Sequence, residues 1–177
     1  MNKNEVLNQL DSNYQTFITY LNNLSPTDFA FSFQQKWTAG QQLEHIIRSV
    51  KPLVKVFGMP PEMIGQAFGK TNRTNISYVE LVNNYQAQLM KGRKAPSIFL
   101  PKASNFDQKT ENLQTLASLV NALKNRVANF KESELETLQI PHPLMGNISL
   151  KEMLYHCIYH VQHHLSLIHI SEPTRPY

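Results

Sequence analysis

The chain has one thiol, Cys157, in 177 residues, so no intrachain disulfide can form and nothing points to an oxidising compartment. Long apolar runs are missing too. None approaches the roughly 20 residues a membrane-crossing helix needs, and the opening MNKNEVLNQLDSNY lacks the apolar stretch of a secretory signal. These gaps set the expectation of a cytoplasmic protein with no membrane partner. Charge is sparse at 17% of residues, with a net of +4. The basic residues are scattered, and their tightest group, KGRK at 91–94, reads as a loop closing a helix. No Lys/Arg run is interleaved with aromatics and no zinc-finger spacing occurs, so nucleic acid is not an expected partner. HExxH is absent, as is the Glu-x-x-His pairing of di-iron bundles, which argues against zinc-peptidase and ferritin-like chemistry.

What the chain does have is the size of one domain and helical periodicity throughout. Val6, Leu7, Leu10, Tyr14, Phe17, Ile18 and Leu21 form one face of a helix over about 4–24. Thr38 and Gln41 make a capping-box pattern opening a second helix that runs to about 57, with Pro52 expected to remove one donor and kink it. Residues 58–77 are rich in Gly, Pro, Asn and Thr, with room for one short helix near 62–68. Further helices are predicted over 78–90, ended by Gly92, and over about 107–130, where Leu113, Leu116, Leu119, Val120, Leu123 and Val127 share a side. IPHPLMGN reads as a turn, and Ser149 with Glu152 opens the last helix. No period-two alternation is long enough for a sheet. The fold class is all-α, a bundle of four or five helices.

The last helix carries most of the histidines. At 100° per residue, Leu150, Met153, Leu154, Cys157, Ile158 and Val161 form its apolar stripe. His160 and His164 fall inside that stripe. His156 and His163 fall at its border, toward a polar face of Lys151, Glu152, Tyr155, Tyr159 and Gln162. Two inward imidazoles at i and i+4 can approach one ion together, and neutral His is the commonest metal ligand. A third ligand must come from elsewhere. His45, at the edge of the apolar stripe of the second helix beside Gln42 and Ser49, suits the lip of an internal cleft, whereas His142, between Pro141 and Pro143, fits the fixing of a turn. The plainer alternative is a hydrogen-bonded core pair. Arg48 reads as a solvated helix residue, with contact to an anionic substrate as the alternative; Trp37 as packing at a helix entry, with a cofactor contact as the alternative; and Cys157 as a buried inert thiol, with a fourth-ligand or redox role as the alternative. Glu44 and Gln162 adjoin ligand candidates in sequence but not on the same helix face, so neither is a strong general base.

WTAGQQLEHIIRSVKPL in the second helix, together with HPLMGNISLKEMLYHCIYHVQHHL at the end, resembles the DinB/YfiT-like superfamily over 1–164. The resemblance implies a DinB-like four-helix bundle with an additional short helix and loops. It also implies a divalent metal ion, zinc or nickel, on His45, His160 and His164. It further implies a metal-dependent hydrolase or a low-molecular-weight-thiol transferase with a small-molecule substrate, and homodimerisation. The alternative is a non-catalytic or stress-response bundle in which the metal is structural. Residues 165–177, LSLIHISEPTRPY, look like the translation of a transposase-type sequencing adapter. They are therefore set apart from the domain, with His169 dismissed as a ligand and the native last turns expected to be missing.

Overall fold

The computed structural model describes residues 1–171, except for the side chains of the last two. The helices in chain order are α1 (Lys3–Asn22), α2 (Pro26–Ala30), α3 (Ala39–Val56), α4 (Pro61–Phe68), α5 (Tyr78–Met90), α6 (Lys109–Ala128), α7 (Glu132–Thr137) and α8 (Leu150–Ser171). Strands β1 (Gln139–His142) and β2 (Gly146–Ser149) lie between α7 and α8. The four long helices form the bundle. α1 and α3 each pack against both α6 and α8, so α1 and α3 occupy opposite corners. The fold is the expected DinB-like helical one, with four short or medium helices added rather than one.

Local chemistry sets the element boundaries. Asn2 Oδ1 accepts from Glu5 N at 3.0 Å while Glu5 Oε2 accepts from Asn2 N at 2.7 Å, which satisfies two orphan donors at the start of α1. Thr38 and Gln41 close the same reciprocal box at α3, as their spacing predicts. Gly40, in the first turn of α3, is needed for close approach. A Cβ there would stand 2.7 Å from a ring carbon of Phe29 and 3.0 Å from the Ser104 carbonyl oxygen. Pro52 lies inside α3, which continues four residues beyond it to Val56. The core is apolar and continuous, with Leu10, Phe17, Leu43, Ile46, Leu116, Leu123 and Leu154 all fully buried between the four long helices.

Two sequence expectations change. The segment read as a turn is an antiparallel hairpin pairing Ile140 with Ile148 and His142 with Gly146, whose φ of 71° suits glycine at the reversal. Strands of four residues leave too little alternation to register as period two. The supposed polar face of α8 is also covered. Tyr155 and Glu152 are buried because α5, α7 and the 70–77 loop pack on that side, where a helical wheel assumes water. Glu152 is fully enclosed. It receives Arg73 through two bonds of 2.6 Å and the amides of Ile76 and Ser149 at 2.9 Å each. Burial alone would raise its carboxyl pKa, but these four donors outweigh burial and hold it below the usual range. α8 itself continues through Leu165 to Ser171, with Ile168 buried. Residues 172–177, where sequence reading puts helix-breaking prolines, lie outside the described residues.

Glu152→Gln is expected to cost about 2 kcal/mol near neutral pH through weakened charge-assisted bonds. A group whose pKa is depressed by folding stabilises above its unfolded value and loses that contribution as pH falls through the folded one. The stability gap between the two proteins, measured by urea unfolding, should therefore be largest above about pH 5 and shrink steadily below pH 4.

A candidate metal centre at the wall of an apolar cavity

His45 on α3 and His160 and His164 on α8 meet inside the bundle. All three are buried, and one ligand-type nitrogen from each lies within 4.8 Å of the others. Nε2 of His160 stands 3.2 Å from Nε2 of His45 and 3.0 Å from Nε2 of His164. Tetrahedral nitrogen ligands about 2.05 Å from zinc stand roughly 3.3 Å apart. The spacing of this histidine cluster is therefore that of an ion's coordination shell, and the cluster could hold a metal.

The far side of two of these rings is already fixed. His45 Nδ1–H donates to the Phe99 carbonyl at 2.7 Å, and His164 Nδ1–H donates to the side-chain oxygen of Gln42. A carbonyl oxygen can only accept, so both Nδ1 atoms carry the proton and both Nε2 atoms present a lone pair inward. This is the tautomer that a metal ligand requires. Burial lowers the pKa of all three imidazoles, and like-charge repulsion adds to it at His160 and His164. The cluster therefore stays neutral at physiological pH. Trp37 covers it, with its ring 5.0 Å from that of His45 and nearly parallel to that of His164 at 6.2 Å.

The cluster lies in the wall of a cavity of about 810 Å³. Val50, Leu53, Val56, Phe68, Leu89 and Met153 make the lining largely apolar, and among the described residues no Asp or Glu lines it. Exposed Arg93 and Lys94 also line it. Cys157 borders the cavity, but burial pushes its thiol up to about 12, which leaves it protonated and unreactive.

The remaining candidates separate cleanly. His142 does fix a turn, since its Nδ1 accepts from the amides of Leu144 at 3.1 Å and Met145 at 3.2 Å. His156, expected at the border of the stripe, is 8% exposed and stacks on His160 with ring centroids 4.7 Å apart, yet it does not join the cluster. His163 is half-buried against Tyr159, and His169 packs edge-on against Tyr20. Arg48 is not a free solvated cation. Its Nε lies 2.6 and 2.7 Å from the two carboxylate oxygens of Glu44, and its Nη1 donates to the Ile98 carbonyl at 3.3 Å. Glu44 also accepts from Lys102 N at 3.1 Å, so this ion pair straps the 97–102 segment, and with it the Phe99 carbonyl, onto α3. Sequence reading missed the two atoms that orient His45 and His164. Gln42 was legible in principle, as a polar residue one turn before His45 on an inward face. The Phe99 carbonyl left no mark in the sequence.

A family model of the DinB superfamily matches residues 9–168, and the chain belongs to that superfamily. No curated protein matches it.

Replacing Gln42 with Leu keeps the volume and removes the acceptor for His164. Metal affinity, measured by competition with a chromogenic chelator, is expected to fall 10- to 100-fold while the melting temperature of the metal-free protein changes little.

Proposed function

We propose that this DinB-superfamily protein is a metal-dependent enzyme, its divalent ion held by His45, His160 and His164, acting on small molecules with an apolar body. The observation that carries the reading is the convergence of three neutral imidazoles in the wall of a cavity large enough for a substrate. A divalent ion on three neutral nitrogens keeps open positions and lowers the pKa of a water or thiol bound there.

The chain's own residues narrow the chemistry. Among the described residues no carboxylate lines the cavity, the Cys157 thiol is held protonated, and Ser49 spends its hydroxyl proton on the His45 carbonyl at 2.9 Å. These residues thus offer no activated nucleophile, and the attacking group enters from outside as water or a low-molecular-weight thiol. Hydrolysis and thiol transfer are the two reactions this supports. Arg93 and Lys94 supply positive charge that favours anionic reactants, and Trp37 and the strapped 97–102 segment shield the histidines from bulk water. Zinc and nickel both suit three imidazoles.

A structural clamp is the competing reading, because the ligands join two bundle helices, α3 and α8. Metal content and a cobalt-loaded sample distinguish the two. Near one equivalent of metal is expected in the parent and in His156→Ala and His163→Ala, falling below about a tenth of that in His45→Ala, His160→Ala and His164→Ala. Adding cysteine to the cobalt form should produce a sulfur-to-cobalt charge-transfer band. Stoichiometric metal with no spectral response to thiol, and no turnover with ester or thiol-acceptor substrates, would leave only the clamp.

A further inference from the structure

Next to the metal cluster, the same cavity holds a second pair of imidazoles that the metal reading leaves unused, with His156 stacked on His160 at 4.7 Å. His142 at the end of β1 and His156 on α8 both line the cavity, with ring centroids 4.3 Å apart and nearly perpendicular. Neither belongs to the metal cluster. His142 Nδ1 accepts two backbone N–H bonds from its own turn, so in the neutral ring the proton is on Nε2. That nitrogen is a donor. It cannot be a metal ligand in this tautomer, and burial, which lowers the His142 pKa to about 4, keeps the ring neutral. Beside it, Nε2 of His156 is buried with no hydrogen-bond partner. A buried polar atom left unpaired costs about 1–3 kcal/mol, so the orphaned Nε2 of His156, beside a His142 Nε2–H that has no acceptor among the described residues, calls for a polar group from outside.

We propose that the His142–His156 corner is a second binding subsite, independent of the metal, that receives an uncharged carbonyl oxygen of the ligand on the Nε2–H of His142. The hairpin supplies the rigidity this requires. The pairing of β1 with β2 and the two amide bonds to Nδ1 hold the ring from behind, so that Nε2 is the nitrogen left for the cavity. The ligand class follows as an apolar, aromatic-sized body bearing a ketone, ester or amide carbonyl. In that class the carbonyl is polarised by a neutral imidazole one ring removed from the metal cluster, with His156 between His142 and His160. An apolar wall alone would give the opposite selectivity, because moving a carbonyl out of water without a donor is unfavourable.

The test compares 2-acetylnaphthalene with 2-isopropenylnaphthalene, matched in shape and differing in the carbonyl oxygen. Binding is read by quenching of Trp37, the chain's single tryptophan and a cavity residue. It is measured in the zinc-loaded and the chelator-treated full chain. The parent should bind the ketone at least five-fold more tightly in both forms. His142→Asn keeps an acceptor near the Nδ1 position for the turn amides but has no donor reaching the cavity, so it should melt close to the parent and lose the preference. His142→Gln places an amide N–H near the Nε2 position and should retain it. Binding of neither probe, equal binding of both by the parent, as a permanently bound water in this corner would give, or a preference that survives in His142→Asn would each overturn the proposal. Failure of the metal reading would appear instead as absent metal, with the carbonyl preference intact.

Discussion

Three imidazoles cannot be packed nitrogen to nitrogen in an apolar core without something to compensate them, and much of the molecule is arranged around that constraint. Burial forbids their charging, and their mutual approach at 3.0 and 3.2 Å would be repulsive if more than one were protonated. The fold answers by fixing two of the outer nitrogens. The Phe99 carbonyl and the Gln42 side-chain oxygen each accept a hydrogen bond from an Nδ1–H, which leaves the Nε2 lone pairs of His45 and His164 facing His160. The Glu44–Arg48 pair, unremarkable as a surface ion pair, gains its meaning from holding the segment that supplies the Phe99 carbonyl.

The same logic extends to the rest of the cavity. Its walls are largely hydrocarbon and aromatic, and six imidazoles line it, of which His45, His142 and His164 have tautomers assigned by their partners. Such a site is built for lone pairs and N–H donors rather than for carboxylate acid–base chemistry. The basic pair Arg93 and Lys94, on a loop separate from the histidines, adds charge without placing a cation against the neutral rings.

Much of this was legible in the chain, for identifiable reasons. The four long helices announce themselves through i, i+3, i+4 apolar spacing and through the capping boxes at Thr38–Gln41 and Ser149–Glu152, both of which depend only on local sequence. His160 and His164 were separable from their neighbours because one wheel sufficed to place them on the apolar stripe. His45 could be ranked but not chosen, since its meeting with α8 is a tertiary fact. The failures share a cause. Glu152 and Tyr155 read as polar-face residues, and His156 as a border residue, because a wheel carries no knowledge of what packs on its second side. The hairpin escaped because four-residue strands hold too few alternations. The backbone carbonyl that orients His45 has no side chain to notice, so no reading of residue types could have found it.

The central claim is that three histidines of this bundle, and no other side chain, form the protein's share of a metal coordination shell. X-ray absorption at the zinc edge of the stoichiometrically loaded protein addresses it directly. The account predicts a first shell of light atoms only, with outer-shell scattering that fits three imidazoles and the remaining positions filled by solvent oxygen. A sulfur scatterer from Cys157, or a shell with fewer than three imidazoles, would contradict it.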